Sequence, residues 1–396
     1  MRSLTATYLP VLIARIGSGA GAAVISFLFP GQELAVGAVL AVYPLMEALG
    51  SFAAGRAADR LGRRPAMLLG YFGRLAAMAL MYLALLWGQG PLLVGALNAI
   101  TGFVTAFILV SSLAMVTDLT EFNNRGLGMG AFEFSNLGGY AIGYLLGAAL
   151  YQALGGAGAM GALAGLTAAA APAVVLMAET APVKGVEIPL NPFKGLPPRT
   201  WPALPLWFAL TTFIGLAIYS GRAIANAISS SGAHLLPLGS HLQVGLLFAG
   251  ALILVGLGAV VFGRLSDRWG REKTLELGVG GVLAALVVIT ALLAANVSPL
   301  KAVAAASPLV FLASAIAPSV LAIVGDRALV SMRGTAMGLY SVVLGVGMAI
   351  GSLVGPAAFL ASGGILGLAL AALAIFSVAA ALYFVLKAFA AKAEHN

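Results

Sequence analysis

The chain has 396 residues, of which 61% are hydrophobic and only 9% charged, with a net charge of +8. So little polar surface cannot cover a soluble globule of this length, which excludes a water-soluble enzyme or binding protein and makes the chain an integral membrane protein. Cysteine is absent, so disulfides and thiol catalysis are excluded as well.

In chain order, apolar stretches are predicted near 5–29, 35–57, 65–87, 91–117, 126–150, 159–179, 204–229, 242–263, 274–295, 299–325, 334–360 and 364–387. At about 1.5 Å of rise per residue each can cross about 30 Å of hydrocarbon. They are rich in Ala, Gly and Leu and lack period-two alternation, so they read as helices and the fold as all-α. The first stretch is too long for a signal peptide and has no small-residue cleavage site, so it is expected to stay as the first helix. With the N-terminus cytoplasmic, the lysines and arginines between spans fall on the inner side, and Lys301 alone falls outside. That asymmetry predicts cytoplasmic termini and explains the basic balance as topology, with no nucleic-acid partner.

Two strings stand between spans: "GRAADRLGRR" from Gly55 to Arg64 and "GRLSDRWGRE" from Gly263 to Glu272. A shift of 208 positions carries Gly55, Asp59, Arg60, Gly62 and Arg63 onto Gly263, Asp267, Arg268, Gly270 and Arg271. The same shift carries Asp118 onto Asp326, Arg125 onto Arg333, and Met129, Gly130, Gly139, Gly143 and Gly147 onto Met337, Gly338, Gly347, Gly351 and Gly355. Register kept without a gap over about 90 positions marks a parallel internal repeat. The expected domains are therefore a six-helix bundle over 1–179, a cytoplasmic linker over 180–203 and a second six-helix bundle over 204–396. The glycines four apart in the fifth and eleventh spans allow close helix packing, and their matched placement suggests a sliding contact between the halves.

The G-x-x-x-D-R-x-G-R-[RE] string between the second and third spans, with its copy between the eighth and ninth, resembles motif A of the major facilitator superfamily. "DLTEFNNRGLGMG", from Asp118 to Gly130, is similar to the helix 4 to 5 loop of the twelve-helix drug-efflux branch. The resemblance implies twelve transmembrane helices in two pseudo-symmetric six-helix bundles, and implicates the motif loops in gating. A carboxylate near a helix N-terminus is stabilised by unpaired N–H groups and the helix dipole, by about 0.3–1 kcal/mol or more when partly buried. Asp59 is expected to do this at the start of the eleventh helix, near Gly334, and Asp267 at the fifth, near Gly126. Together with Gly55, Arg60, Gly62, Arg63, Asp118, Arg125, Gly263, Arg268, Gly270, Arg271, Asp326 and Arg333 they form the predicted gating motif. Two positions depart from the drug-antiporter pattern: Tyr144 stands where the fifth helix of that branch has proline, and Asn98 where its fourth helix has arginine.

Five ionisable residues lie deep in apolar stretches: Arg15, Glu47, Arg74, Glu133 and Arg222. Each costs about 2.5–3.5 kcal/mol at a helix centre, so each needs a partner or a polar cavity. Depth along the helices suggests Arg15 with Glu133 and Glu47 with Arg74, leaving Arg222 to a wet cavity, to Glu133 or to an anion. Arg15 and Arg222 are the expected substrate-binding arginines. Tyr43, Asn98, Asn136, Tyr219, Asn226 and Tyr340 could complete the site, and Glu133 and Glu47 are the expected proton carriers. His234, His241 and His395 fall outside the expected helices, which argues against a buried imidazole relay.

The reading is a monomeric secondary transporter of the cell membrane, moving a small organic solute by alternating access. Efflux coupled to protons follows the loop resemblance, and uptake or exchange of an organic carboxylate or phosphate ester follows the arginines. A lipid-modifying membrane enzyme is the remote third reading, since no catalytic cluster is visible. No cofactor or metal is expected, and the partners are the solute, protons and the lipid bilayer.

Overall fold

The computed structural model describes residues 4–29, 32–180, 200–230, 240–362 and 364–392, with only the backbone described at 4–6, 33–34, 37, 217–230, 240–245, 247–248, 300, 352–353, 356–357, 360, 362 and 390–392. The helices are α1 Leu4–Phe27, α2 Glu33–Leu61, α3 Arg63–Leu86, α4 Pro91–Leu119, α5 Arg125–Val175, α6 Ala203–Ser230, α7 Ser240–Trp269, α8 Arg271–Ala294, α9 Pro299–Ala313, α10 Ile316–Arg327, α11 Arg333–Ser362 and α12 Ile365–Lys392. The protein is all-α among the described residues, and 10 helical stretches are long and apolar enough to cross a membrane.

Three boundaries differ from the sequence reading. The fifth and sixth predicted stretches run together as α5, broken only at Gly155, whose φ of 67° and ψ of −179° interrupt 51 helical residues. The tenth is interrupted between Ala313 and Ile316. Pro318 has no N–H to give the carbonyl of Ser314, and the Ser314 hydroxyl turns back to donate to the Phe311 carbonyl at 2.5 Å. Thirdly, α7 starts at Ser240, so His241 sits in its first turn, while His234 and His395 lie outside the described residues. The expected linker also lies outside them, apart from its ends.

The repeated strings make sharp reversals. α2 passes into α3 through Gly62 alone, and α7 into α8 through Gly270 alone, with φ of 104° and 99°. A side chain at either position would be strained, which is why each string needs its second glycine. The ends of the following spans are tied back differently in the two repeats. Glu179 accepts hydrogen bonds from the N–H groups of Arg63 at 2.9 Å and Arg64 at 3.4 Å, at the start of α3. The 208-residue shift puts Lys387 in that place and Glu272 in the place of Arg64, and Lys387 bonds Glu272 at 2.9 Å. The tie is thus a carboxylate on backbone N–H groups in the first repeat and a side-chain ion pair in the second.

Glycine rows set the packing. A Cβ on Gly139, Gly143 or Gly147 would collide with the backbone of α1 at Leu12, Ile16 and Ala20, and one on Gly351 with the backbone of α6 at Thr212. These rows therefore bind neighbours within one repeat. The sliding contact between repeats expected of them falls to a different row: Gly126 and Gly130 press on Gly263 and Ala259 of α7, and Gly334 and Gly338 on Gly55 and Ser51 of α2. The reason is helical phase. Gly130 and Gly139 are nine residues apart, about two and a half turns, so the two rows look in opposite directions, and Gly338 and Gly347 repeat the spacing. One apolar core runs through the contact, from Val110 and Leu113 of α4 through Met129 and Phe132 to Met337, Tyr340 and Trp207.

Candidate functional site

A chain of buried polar side chains crosses the middle of this core. Arg15 on α1 donates from both terminal nitrogens to Glu47 on α2, at 3.1 and 2.9 Å, a bidentate ion pair. Its Nε donates to the side-chain oxygen of Asn136 on α5 at 2.6 Å. Asn136 in turn donates its amide to Glu133 at 3.2 Å, and the Tyr340 hydroxyl of α11 donates to the other Glu133 oxygen at 3.4 Å. Arg15, Glu47 and Glu133 are 7%, 2% and 2% exposed, so none meets bulk water. The Tyr340 ring stacks on Trp207 of α6, with centroids 4.4 Å apart, and the indole N–H donates to the Tyr340 carbonyl at 3.2 Å. Among the described residues Glu133 thus has two neutral donors and no direct cation.

These pairings correct the sequence reading. Arg15 takes Glu47 and reaches Glu133 through Asn136, and among the described residues Arg74 has no carboxylate. Spacing along a helix fixes height, but which face meets which neighbour is fixed by packing, and the glycine rows bring α1 against α5 with Asn136 rather than Glu133 next to Arg15. Arg74 donates to the Thr105 hydroxyl at 2.5 Å and to Tyr43 at 3.4 Å. Tyr43 shares a 2.8 Å hydrogen bond with Ser18, and Asn98 donates to the Val39 carbonyl at 2.8 Å. The side chains of Tyr219, Arg222 and Asn226 lie outside the described residues.

The second assembly stands at the basic end of the bundle. Asp59 accepts from the N–H groups of Gly334 at 2.9 Å and Thr335 at 2.8 Å, and from the Thr335 hydroxyl at 2.7 Å. Asp267 accepts from the N–H groups of Gly126 and Leu127, both at 2.8 Å. Each carboxylate thereby caps a helix of the other repeat, where unpaired N–H groups and the positive end of the dipole converge. Arg63 bonds Asp59 at 2.8 Å and Asp118 at 3.0 Å, and Arg333 bonds Asp118 at 3.1 Å. In the other copy Arg271 bonds Asp267, and also Asp326 at 2.9 Å, while Arg125 bonds Asp326 at 2.5 Å. Arg60 and Arg268 are exposed, and among the described residues neither bonds to either cluster. Gly55 and Gly263 supply the close backbone approach that brings the caps within reach.

The Major Facilitator Superfamily matches residues 11–232 and 200–395, nearly the whole chain in two overlapping parts. The chain belongs to the Major Facilitator Superfamily. No curated protein matches it. Among solved structures it is similar to the human organic anion transporter MFSD10 (TETRAN), with a TM-score of 0.73 and 16% identity over 98% of each chain. It is likewise similar to a bacterial homologue of the iron transporter ferroportin in an outward-facing state, with a TM-score of 0.75 and 14% identity over 97% of this chain and 99% of that one. At such identities the likeness is one of fold, and it extends to the superfamily as a whole rather than to its drug-efflux branch. As a superfamily member the protein is a secondary-active transporter that moves a small solute across a lipid bilayer, not an enzyme.

Trp207, Ser18, Thr105 and Glu179 were not singled out from the sequence. Trp207 and Ser18 carry no motif or matched counterpart that sets them apart from packing residues. Glu179 had a signal, since the 208-residue shift pairs it with Lys387 and so places opposite charges at equivalent helix ends.

Proposed function

We propose that this transporter carries a small organic anion, a carboxylate or phosphate ester, by alternating access, with Glu133 taking up and releasing a proton. The arrangement behind it is twelve spans in two six-helix bundles with cytoplasmic termini: α5 counts twice across Gly155, α6 is added, and α9 with α10 make one. The observation that carries the reading is the Arg15 fork. Its two terminal nitrogens hold both oxygens of Glu47, at 3.1 and 2.9 Å, and its Nε continues through Asn136 to Glu133. A substrate carboxylate or phosphate offers the same pair of oxygens, so it can take the place of Glu47 without leaving Arg15 unpaired. A cationic drug has no such exchange open to it, and among Arg15, Arg74, Arg222, Glu47 and Glu133 the cations are in excess.

The similarity to an organic anion transporter supports this reading over drug efflux, as do the two departures from the drug-antiporter pattern. Asn98 spends its amide on the Val39 carbonyl, a structural bond. Proton linkage follows from the relay: when Arg15 exchanges its partner, the change reaches Glu133 through Asn136, and Glu133 can lose its charge without breaking an ion pair. The caps made by Asp59 and Asp267 hold the cytoplasmic side closed and must break for the solute to leave on that side.

The test is counterflow in proteoliposomes with a panel of carboxylates, phosphate esters and lipophilic cations. Wild type should exchange anions and ignore cations, and Arg15→Lys should lose at least tenfold in affinity, because a point ammonium cannot reproduce the fork. Exchange of cations by wild type, or unchanged anion affinity in Arg15→Lys, sinks the proposal.

A further inference from the structure

Arg74 lies on α3, inside the bundle, away from the relay. It is 1% exposed, and its hydrogen bonds are both from one terminal nitrogen to neutral oxygens, Thr105 at 2.5 Å and Tyr43 at 3.4 Å. Among the described residues its Nε is buried with no partner, and its second terminal nitrogen takes no part in either bond. Glu47, one turn from Tyr43 on α2, spends both oxygens on Arg15. Buried arginine in a membrane protein is ordinarily met by a carboxylate, a carbonyl cage or water-filled space. Arg74 has a cavity instead.

That cavity is about 20 Å³, room for one or two water-sized species. Beside Arg74 its polar lining is Ser18, Tyr43, Asn98 and Thr101, with Met78, Met81 and Met160 among the apolar remainder and no acid. Ser18 and Thr101 spend their hydroxyl protons on the Ala14 and Leu97 carbonyls and Tyr43 its own on Ser18, so the donors left for a small anion are the guanidinium of Arg74 and the second amide proton of Asn98. A soft methionine wall suits a polarisable one. Gly17 belongs to the design, since a Cβ there would come within 2.8 Å of the free terminal nitrogen of Arg74.

We propose that this cavity binds a monovalent anion of chloride size, held by Arg74 as a resident counter-ion. The site is separate from the Arg15 fork and stands whether or not the solute is an organic anion. It also guards the fork. With the ion in place Arg74 is neutralised, and with the ion gone Arg74 competes for Glu47 across one helical turn, which weakens the Arg15 pair. Transport should therefore depend on halide as well as on the solute.

The experiment is thermal unfolding of the detergent-solubilised full-length protein at fixed ionic strength, in sodium chloride, bromide, acetate or gluconate. A ligand that binds the folded state raises the midpoint in proportion to the logarithm of its concentration above Kd. Chloride and bromide should raise the wild-type midpoint by several degrees over gluconate in a saturable manner, and acetate should not. Arg74→Gln should abolish the halide effect. Ser18→Val, which fills the cavity and leaves the arginine, should abolish it too, and decides the matter if Arg74→Gln does not fold. Equal midpoints of wild type in chloride and gluconate overturn the proposal, as does a full halide shift in Ser18→Val. Equal shifts with acetate and chloride overturn the size argument and give the cavity to the carboxylate of a solute.

Discussion

Replacing Asp59 by Asn tests the gate directly, because this one carboxylate holds the start of α11 from the other repeat. It is 1% exposed and accepts three bonds from Gly334 and Thr335, at 2.9, 2.8 and 2.7 Å, besides one from Arg63 at 2.8 Å. Bonds to a charged group contribute about 1.5–3 kcal/mol each, and Asn keeps one acceptor oxygen while turning its NH2 toward a backbone N–H. Allowing for water reaching these groups once the interface opens, the closed state should lose about 3 kcal/mol, roughly a hundredfold in the closed-to-open ratio. Asp267 makes two such bonds across the interface, both at 2.8 Å, and no hydroxyl joins them. Its replacement should cost about 2 kcal/mol, roughly thirtyfold.

The chain has no cysteine, so a single Cys in place of Ser51, which is 0% exposed at the Gly338 contact, reports opening without background labelling. Its reaction with a maleimide added from the basic side should accelerate strongly in Asp59→Asn and less in Asp267→Asn. Labelling rates that stay at the wild-type value in both variants would leave the strings with no part in gating. A larger effect at Asp267 would refute the accounting by bonds.

Glu133→Gln should abolish accumulation driven by a pH gradient and spare solute counterflow, both read in the same liposomes; accumulation that persists moves the proton to Glu47 or another group. Gly143→Ala should lower stability by about 2 kcal/mol, because its Cβ meets the Ile16 backbone and the helices must part. Gly138→Ala, with no heavy atom within 4 Å of its added Cβ, should leave the thermal midpoint unchanged or slightly raised. Similar midpoints for the two would deny the glycine row its packing role.

The residues legible in the sequence were those whose position depends on height and repeat. Asp59 and Asp267 could be assigned to Gly334 and Gly126 because each stands at a loop end and the shift of 208 makes one assignment entail the other. The buried relay was not legible in that way. Arg15, Glu47, Arg74 and Glu133 lie at comparable depths, so depth alone admits several pairings. The choice is made by rotation about the helix axis, which depends on which glycine row faces which neighbour. Gly139, Gly143 and Gly147 are visible as a row, but their partner, α1, is not, and it is α1 that carries Arg15 to Asn136. Gly155 is one glycine in a run of several, and only the backbone distinguishes it as the break in α5.

The repeat also dictates how the two ion clusters are joined. Arg125 of the first repeat bonds Asp326 of the second, so the same two-fold requires Arg333 of the second to bond Asp118 of the first, and the two distances are 2.5 and 3.1 Å. Arg63 stays within its own repeat, whereas Arg271 also donates to the Phe122 carbonyl of the first repeat; each bonds both the cap carboxylate and the second aspartate. The cap and the exchanged arginine therefore share one internal arginine, so losing either unbalances the charge on the other. Separating the basic ends of the repeats must break both caps and both exchanged pairs, and a buried pair left with one partner is costly. Opening should accordingly be a single cooperative step, and its cost should fall less than additively when Asp59→Asn and Asp267→Asn are combined.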